Sequence, residues 1–444
     1  MTRHILLLGA FLLTRQLAVA QSYTIKEVAA PAAAGFSAER LQRMDRFLQQ
    51  YVADQKQAGV IGFISRNGQI IYYKAFGKNG PKKDQSLQRD AIFRIASQTK
   101  AITSLAVLML LEEGRFLLDD PISAYIPAFR NPVVLDKFNE KDSSYTTKPA
   151  RSEISIRQLL THTSGLSYTS IGTKEANAIY AKANIPSGIG TPFFSLSASV
   201  NALAKLPLMH NPGERFTYSL STDVLGRLVE VLSGQSLDQF FRTRIFEPLG
   251  MSDTYFYLPP AKHARLATLY AENQQRQPVA MAMQGNQSPD YPNQAGQYFS
   301  GGAGLVSTAS DYAIFLQMLL NGGHYNGKVL LAPSTVRMML SNQIGNLSIG
   351  DRKFGLGFAL ATAQTAARLP NSEGTFDWGG FFGTNYWADP QTGVIGMVIT
   401  QKVPNSFNDL NDKFKMLVYQ ALVGTPAGTS VSTNGATATA AKKP

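Results

Sequence analysis

The chain has 444 residues, of which 44% are hydrophobic and 10% aromatic, enough apolar side chain for a packed core. Its formal net charge is +12, but lysine and arginine are scattered singly along the sequence, which argues against nucleic-acid binding. Cysteine is absent, which excludes disulfides, thiolate zinc sites and a cysteine nucleophile.

The first twenty residues have the features of a secretory signal peptide. A basic start is followed by the apolar run 5–13 and by Ala-Val-Ala at 18–20. That run is far shorter than the ~20 residues of a membrane-spanning helix, and no later segment is long enough either. We therefore expect cleavage after Ala20 and an exported protein, periplasmic or secreted, with no stable membrane span. A retained anchor is the minor alternative, because Arg15 interrupts the pattern.

Three elements are predicted before residue 130. Residues 37–57 carry apolar side chains at a spacing of three to four, which indicates an amphipathic helix. Two β-rich runs then flank Asn67-Gly68, a pair that suits the positive backbone dihedrals of a tight hairpin turn. The stretch FRIASQTKAITSLAVLMLLEEG at 93–114 predicts a helix buried on all sides that ends at Gly114.

The pattern then changes to helices and loops. The polar stretches NEKDSSYTTKPA (139–150) and QGNQSPDYPNQAGQ (284–297) are predicted loops between apolar helices. Strand patterns return at 354–360 and 375–401, and a last helix is predicted near Asp409 to Leu422. Residues 426–444 hold too few large apolar side chains to fold, and we expect a disordered, low-complexity tail.

Strand patterns thus occur at both ends of the chain, with helices between them. This predicts an α/β (α+β) domain over 21–425, made of a sheet subdomain (about 21–130 and 331–425) and an inserted, mostly helical subdomain (about 131–330). Active sites are common at such seams.

Ser97 and Lys100 are the first candidate catalytic residues. Their spacing places a hydroxyl and an amine on one face at the start of the buried helix. A serine hydroxyl needs a neighbouring proton acceptor to attack an ester or amide, and burial favours the neutral amine that can act as one. The helix N-terminus adds a partial positive charge beside a developing oxyanion.

A bland interpretation of the pair competes with this one. Ser-x-x-Lys is common by chance, so Ser97 could simply cap the helix while Lys100 extends to water. The helix that follows is, however, too apolar for an ordinary surface helix, which favours a polar head that faces a cleft.

Several ordered motifs, taken together, resemble one family. They are SQTK at 97–100, LLTHTSGL at 159–166, PGERFTYSLSTDVLGRLVEVLSG at 212–234, GGAGLVSTASDYAIFLQMLLNGG at 301–323 and WGG at 378–380. The sequence resembles the serine hydrolases of the penicillin-binding fold, close to class C β-lactamases and especially to the family VIII carboxylesterases. The resemblance covers nearly the whole mature chain and implies a β-lactamase/transpeptidase-like fold, an antiparallel sheet flanked by helices.

The resemblance also implies roles for individual residues. Ser97 would be the nucleophile, Lys100 its partner and Tyr218 the tyrosine of the second motif; whether Lys100 or Tyr218 is the acylation base stays open. Without the family, Tyr218 would be read as one of 18 tyrosines, packed in the core.

Two departures from class C β-lactamases bear on the substrate. Leu220 stands where those enzymes carry the asparagine that bonds a substrate amide, and Trp378-Gly379-Gly380 replaces their Lys-Thr-Gly. An indole in place of the lysine offers an apolar wall, which suits uncharged esters. The two glycines would let the strand lie close to the acyl group, and the amide of Phe381 would complete the oxyanion hole with that of Ser97. The bland alternative is a Gly-Gly turn beside a buried tryptophan.

Other candidate groups carry less weight. His162 is interpreted as a structural residue rather than a general base, because a lysine already stands beside the serine. The remaining histidines lack metal-ligand spacing, so we expect neither a metal nor a cofactor. Asp223 either orients a neighbour or is a solvated or capping carboxylate.

The sequence therefore predicts a serine hydrolase that cleaves small carboxylic esters through an acyl-enzyme on Ser97. A β-lactamase or D,D-peptidase that acts on β-lactams or cell-wall peptides is the first alternative. A catalytically silent ligand-binding relative is the second, against which the intact Ser97, Lys100 and Tyr218 argue.

Overall fold

The structure is a computed structural model that describes residues 22–28, 30–80, 85–283 and 288–424. The predicted signal peptide and the predicted C-terminal tail lie outside the described residues. The α-helices are α1 (Ala38–Ala53), α2 (Thr99–Glu112), α3 (Ile156–Leu160), α4 (Lys174–Lys182), α5 (Leu196–Leu203), α6 (Ser221–Ser233), α7 (Leu237–Phe241), α8 (Glu247–Leu249), α9 (Ala309–Leu320), α10 (Pro333–Met339), α11 (Ala363–Arg368) and α12 (Leu410–Ala421).

The strands are short except around the central sheet. They are β1 (Lys26–Glu27), β2 (Gly59–Arg66), β3 (Gln69–Gly77), β4 (Phe93–Arg94), β5 (Val133–Phe138), β6 (Tyr145–Pro149), β7 (Tyr270–Glu272), β8 (Pro278–Ala280), β9 (Val306–Ser307), β10 (His324–Tyr325), β11 (Lys328–Val329), β12 (Arg352–Phe354), β13 (Ala359–Ala361), β14 (Phe376–Gly379), β15 (Thr384–Asp389) and β16 (Val394–Ile399).

The central sheet joins the two ends of the chain. Its eight strands lie in the order β1-β3-β2-β16-β15-β14-β13-β12. Every neighbouring pair is antiparallel except β1 with β3, which is parallel. The pairing of β2 with β16, in which Arg66 lies opposite Val394, joins the N-terminal hairpin to the C-terminal strands. The predicted antiparallel sheet is therefore confirmed, with a parallel strand added at one edge.

Helices cover both faces of this sheet. Successive residues of β2 point to opposite sides: Val60 packs in a cluster with α1 and α12, whereas Ile61 packs in the main cluster with α2 and α9. In the sequence, strands that are buried on both faces are continuous apolar runs, without alternating apolar and polar residues. The candidate nucleophile lies at the start of α2, on the side of the larger cluster.

The local predictions for the N-terminal part are confirmed. Helix α1 buries Leu41, Met44, Leu48 and Tyr51 and is capped by the hydroxyl of Ser37. The turn between β2 and β3 consists of Asn67 and Gly68, with φ of 48° and 75°. Helix α2 is buried from Thr99 to Leu110, as its apolar composition predicts.

The region 131–330 contains more strand than the sequence indicated. The predicted loop 139–150 forms much of a hairpin, in which β6 pairs with β5. The residues of β6 are all exposed, so the sequence shows no alternation of apolar and polar residues there. Only the β-propensity of Tyr145 and two threonines indicated a strand.

The division into a sheet and a helical subdomain stays a prediction. None of the helices in the described ranges is both long and apolar enough to cross a membrane.

Candidate active site

Ser97 lies in a short 3-10 turn, Ala96–Gln98, that leads directly into α2. Ala96 has φ of 43°, a left-handed conformation that costs free energy for a residue with a Cβ atom. The turn is held in place because Ile95 N–H donates to the carbonyl of Leu305 over 3.1 Å and Tyr312 Oη donates to the carbonyl of Gln98 over 3.0 Å. The result is a sharp bend that leaves Ser97 half-buried between buried neighbours.

Lys100 lies one turn further along the helix and is only 2% exposed. Its Nζ donates to the phenol of Tyr168 and to the carbonyl of Gly302, both over 2.7 Å. The ring of Tyr218 faces the same amine, with its centroid 4.6 Å from Nζ. Among the described residues, Nζ has no hydrogen bond to Ser97. The predicted buried amine is therefore present, surrounded by two tyrosines.

Tyr218 lies between the amine of Lys100 and Trp378 of β14. Its half-buried ring lies 5.3 Å from that of Tyr168 and 5.5 Å from that of Trp378, between centroids. The indole Nε1 of Trp378 donates to Tyr218 Oη over a long 3.4 Å. The structure thus brings Lys100, Tyr218 and Trp378 together from three separate parts of the chain.

The glycine pair after Trp378 lies close to the segment of the candidate nucleophile, Ser97. A Cβ atom on Gly380 would stand 2.5 Å from the carbonyl oxygen of Ile95, two residues before Ser97. Only glycine permits such a backbone approach. The N–H of Phe381, the predicted oxyanion donor, has no hydrogen-bond acceptor among the described residues. The side chain of Phe381 is 46% exposed.

Leu220 is placed differently from the other candidates. It is 1% exposed and packs in the main hydrophobic cluster, immediately before α6 begins. Its side chain therefore fills core volume, and the structure offers no observation that connects it to a substrate.

His162 is a buried structural residue. Its Nδ1 lies 3.2 Å from Ser219 Oγ and its ring packs 4.8 Å from the ring of Tyr218. Burial, assisted by the charge of Lys100, holds the pKa of His162 well below its usual range. The imidazole is therefore neutral and packs against the ring of Tyr218.

Tyr168 is the site residue that sequence reasoning missed. Besides its bond to Lys100, it is fully buried, and burial together with the nearby Tyr218 and Asp223 raises its pKa well above the usual value. Its phenol therefore stays protonated at neutral pH. The available signal was its position, two residues after the Ser-Gly-Leu of a recognised motif, but nothing separated it from the other tyrosines.

The structure gives the position of Asp223, for which the sequence left open an orienting role or a solvated or capping carboxylate. It is buried in the first turn of α6, where Oδ1 accepts a 2.7 Å hydrogen bond from Ser300. A Cβ atom on Gly302 would lie 2.5 Å from Asp223 Oδ2 and 3.5 Å from Lys100 Nζ, so the carboxylate and the amine flank one glycine. Burial raises the pKa of Asp223, and the Ser300 bond and the charge of Lys100 oppose that rise. The solvated reading is therefore wrong, and this carboxylate belongs to the surroundings of the amine.

Within the described ranges, no group of three or more histidine, aspartate or glutamate side chains is arranged to hold a metal ion. The groups gathered here are instead a half-buried hydroxyl, a buried amine, two phenols and an unengaged backbone amide. Together they can activate a hydroxyl, accept and return its proton, and stabilise an oxyanion.

Comparison with known proteins finds similar sequences that cover most of the chain. The family model described as Beta-lactamase matches residues 44–420. The chain is 31% identical over 375 residues to Esterase EstB of Burkholderia gladioli, covering 81% of this chain and 89% of that protein. It is 28% identical over 406 residues to Lovastatin esterase of Penicillium rubens, covering 85% of this chain and 98% of that one.

Among solved structures, the fold is similar to that of EstCE1, described as a hydrolase with promiscuous acyltransferase activity. The TM-score is 0.73 at 27% identity, and the match covers 87% of this chain and 99% of EstCE1.

Proposed function

The chain belongs to the beta-lactamase family and is a serine hydrolase, and on that premise we propose that it cleaves small, uncharged carboxylic esters through an acyl-enzyme on Ser97. The observation that carries the proposal is the amine of Lys100, buried one helical turn from a half-buried serine and enclosed by two tyrosines. The esterases among the relatives support the choice of ester over amide.

The reaction runs in two halves. Ser97 Oγ attacks the ester carbonyl carbon, and its proton passes to the Lys100 amine, either directly or through the Tyr218 phenol. The tetrahedral oxyanion accepts hydrogen bonds from the amides of Ser97 and Phe381. The C–O bond to the alcohol then breaks and the alcohol takes up the proton. Water attacks the acyl-serine in the same way and releases the acid.

The wall at β14 supports an uncharged substrate. Trp378 presents an indole, held against the rings of Tyr218 and Phe354, at the position where the resembling β-lactamases carry a lysine. Without a cation there, a substrate carboxylate loses the ion pair that would offset its desolvation. Hydrolysis of β-lactams and of cell-wall peptides is therefore disfavoured relative to ester hydrolysis.

The test compares two chromogenic substrates. We expect the mature protein to hydrolyse 4-nitrophenyl acetate and to turn over a chromogenic cephalosporin more slowly. Ser97→Ala should abolish ester turnover, and mass spectrometry of the wild-type protein quenched during turnover should show one added acetyl group on the peptide that contains Ser97. Ser341→Ala, at an exposed serine, is the matched control and should retain activity.

Two outcomes would replace this proposal with an alternative. Preferential cephalosporin hydrolysis would favour a β-lactamase or D,D-peptidase. Absence of turnover and of acylation with both substrates would favour a silent binding relative.

We also propose that the protein is exported, because residues 1–20 have the order of a secretory signal. Expression of the full chain in a Gram-negative host should yield a periplasmic protein that begins at Gln21. Recovery in the cytoplasm with the first twenty residues intact would contradict export.

A further inference from the structure

A cavity of about 360 Å³ opens beside the turn between β14 and β15, next to the candidate active site. Two of its wall residues, Gly380 and Phe381, also belong to the predicted oxyanion side of the site. Its other walls come from β15, from the segment 400–409 and from the start of α12. Nothing in the reaction described above uses this cavity.

Asparagine dominates the polar lining. Four asparagines from three segments contribute: Asn385, Asn405, Asn408 and Asn411. The NH2 group of Asn411 donates to Asp412 Oδ1 over a long 3.4 Å. An amide NH2 carries two donor hydrogens, so Asn411 keeps a second one for a ligand.

Other amide groups of the lining are also free to bind a ligand. The carbonyl of Asn405 accepts from Phe407 N–H over 3.2 Å and from Gln57 over 3.3 Å, which leaves its NH2 group without an acceptor among the described residues. The side chain of Asn408 is exposed and, within the same ranges, makes no hydrogen bond. The lining can therefore both donate and accept, which is what a ligand rich in hydroxyl groups requires.

The charges around the cavity disfavour an anion. Lys402 lies in the wall, but its Nζ is paired with Glu272 at 2.8 Å and both side chains are buried. The exposed carboxylate of Asp412 stands at the same wall and repels negative groups, while it can accept hydrogen bonds from hydroxyls. A neutral, polar ligand fits this balance.

Two aromatic rings complete the lining. Phe381 and Phe407 both line the cavity, one exposed and one half-buried. Aromatic faces pack against the apolar C–H faces of a saturated ring, while amides bond the hydroxyls at its edge. Amides together with phenyl rings are the chemistry that recognises a sugar.

We propose that this cavity binds the sugar part of the substrate, so that the ester cleaved at Ser97 is an acylated carbohydrate. The inference rests on the proposed esterase function. Phe381 links the two places, because it lines the cavity and carries the backbone amide that is the predicted oxyanion donor. On hydrolysis the ester C–O bond breaks, water supplies the hydroxyl of the acid, and the sugar leaves from the cavity as a free alcohol.

The experiment compares two esters of similar shape. Methyl 6-O-acetyl-β-D-glucopyranoside carries ring hydroxyls, whereas cyclohexylmethyl acetate does not, and acid release from both is followed in a pH-stat. We expect wild-type kcat/KM to favour the sugar ester at least about tenfold. Asn411→Ala and Asn408→Ala should each reduce that preference about three- to tenfold, mainly through KM, because each removes hydrogen bonds to the sugar.

Asn201→Ala, at an exposed helical asparagine, is the matched control and should keep the wild-type preference. Thermal unfolding of each variant separates lost recognition from lost folding. Saturation-transfer NMR with methyl β-D-glucopyranoside provides a second measurement, and its signal should weaken in Asn411→Ala.

The possible failures are distinguishable. Equal kcat/KM for the two esters, an unchanged preference in both cavity variants, or no saturation transfer to the glucoside would overturn the sugar site while 4-nitrophenyl acetate hydrolysis still upholds the esterase. Loss of hydrolysis of every ester would overturn the proposed function, and the substrate role of the cavity with it.

Discussion

At the scale of single residues, the arrangement around Lys100 decides the chemistry. Its amine is held by a phenol and a carbonyl. The buried carboxylate of Asp223 borders the same space, because a Cβ atom on Gly302 would meet both Asp223 Oδ2 and Lys100 Nζ. The phenol and the carbonyl therefore orient the amine.

Tyr168→Phe tests this arrangement. Removing the phenol takes away one of the two acceptors of Lys100 Nζ, so we expect kcat for 4-nitrophenyl acetate to fall at least about tenfold with a loss of stability of about 1 kcal/mol. Tyr180→Phe is the matched control, because Tyr180 is also fully buried but, within the described ranges, bonds only to the Ser167 N–H. It should lose similar stability and retain most of its activity. Equal activity losses in both variants would show that the effect is one of folding.

At the scale of elements, the site depends on how closely the end of β14 approaches the turn before α2. The contact is between backbones, at Gly380 and Ile95, and it sets the separation between the two predicted oxyanion donors. The left-handed Ala96 stores backbone strain in the same turn. Both features need the sheet and α2 to be fixed relative to each other, which the shared hydrophobic cluster ensures.

Gly380→Ala should separate these two elements. The new Cβ atom would lie 2.2 Å from Thr384 Oγ1 and 2.5 Å from the Ile95 carbonyl, distances that a backbone can relieve only by moving. We expect ester turnover to fall about a hundredfold, as for loss of an oxyanion donor. Gly379→Ala is the comparison, because the nearest atom to its Cβ would be the side-chain oxygen of Asn385 at 2.9 Å, which can rotate, and the nearest backbone atom would lie at an ordinary 3.5 Å. A larger loss in Gly379→Ala than in Gly380→Ala would contradict this account.

Helix α9 contains a carboxyl group with a predicted pH signature. Burial raises the pKa of Asp311 to about 6, against an unfolded value near 3.8, although its carboxylate accepts from Asp253 N–H and from Thr254. The folded state therefore binds more protons than the unfolded state between these two values, so the contribution of this group to stability falls as pH rises through that window.

Asp311→Asn should remove that dependence. We expect the free energy of unfolding of the variant, relative to wild type, to rise by about 2 kcal/mol between pH 4.5 and pH 7.5, measured by urea denaturation. Asp136→Asn, at an exposed aspartate, should show no such change. A difference between Asp311→Asn and wild type that is independent of pH would refute the buried-carboxyl explanation.

At the scale of the whole molecule, the site is assembled from segments that are far apart in the chain: 97–100, 168, 218–223, 300–302 and 378–381. Arg94, fully buried and three residues before Ser97, connects the first of these segments to three other parts of the chain. Its guanidinium donates to the carbonyls of Ala267 over 2.7 Å and of Pro289 over 2.9 Å, and to the side chain of Gln401 over 3.2 Å.

Arg94→Lys should therefore destabilise the whole fold rather than the site alone. A lysine keeps the charge but lacks the planar fork that reaches three acceptors at once, and it leaves buried carbonyls unpaired. We expect a loss of about 2 to 4 kcal/mol in the free energy of unfolding by urea. Arg130→Lys, at an exposed arginine, should change it by less than about 0.5 kcal/mol. Comparable stability of the two variants would disprove the role assigned to Arg94.

Patterns local in the sequence determined a large part of this protein. Helix α1, the Asn67-Gly68 turn and the buried helix α2 follow from periodicity, turn chemistry and composition over short windows, and the ordered motifs indicated the family and the Ser97-Lys100 pair. The strand β6 was missed because its exposed residues carry no apolar period.

Only the tertiary structure decided the surroundings of the amine. Tyr168 and Asp223 reach Lys100 through packing between α2, α6 and the segment 300–302, and Leu220 turns into the core although it neighbours the second motif. The asparagine-lined cavity likewise combines three segments whose spacing in the chain says nothing about their distance in space. Local dihedral and packing preferences act over a few residues, whereas a catalytic site depends on distances between side chains that only the complete fold brings together.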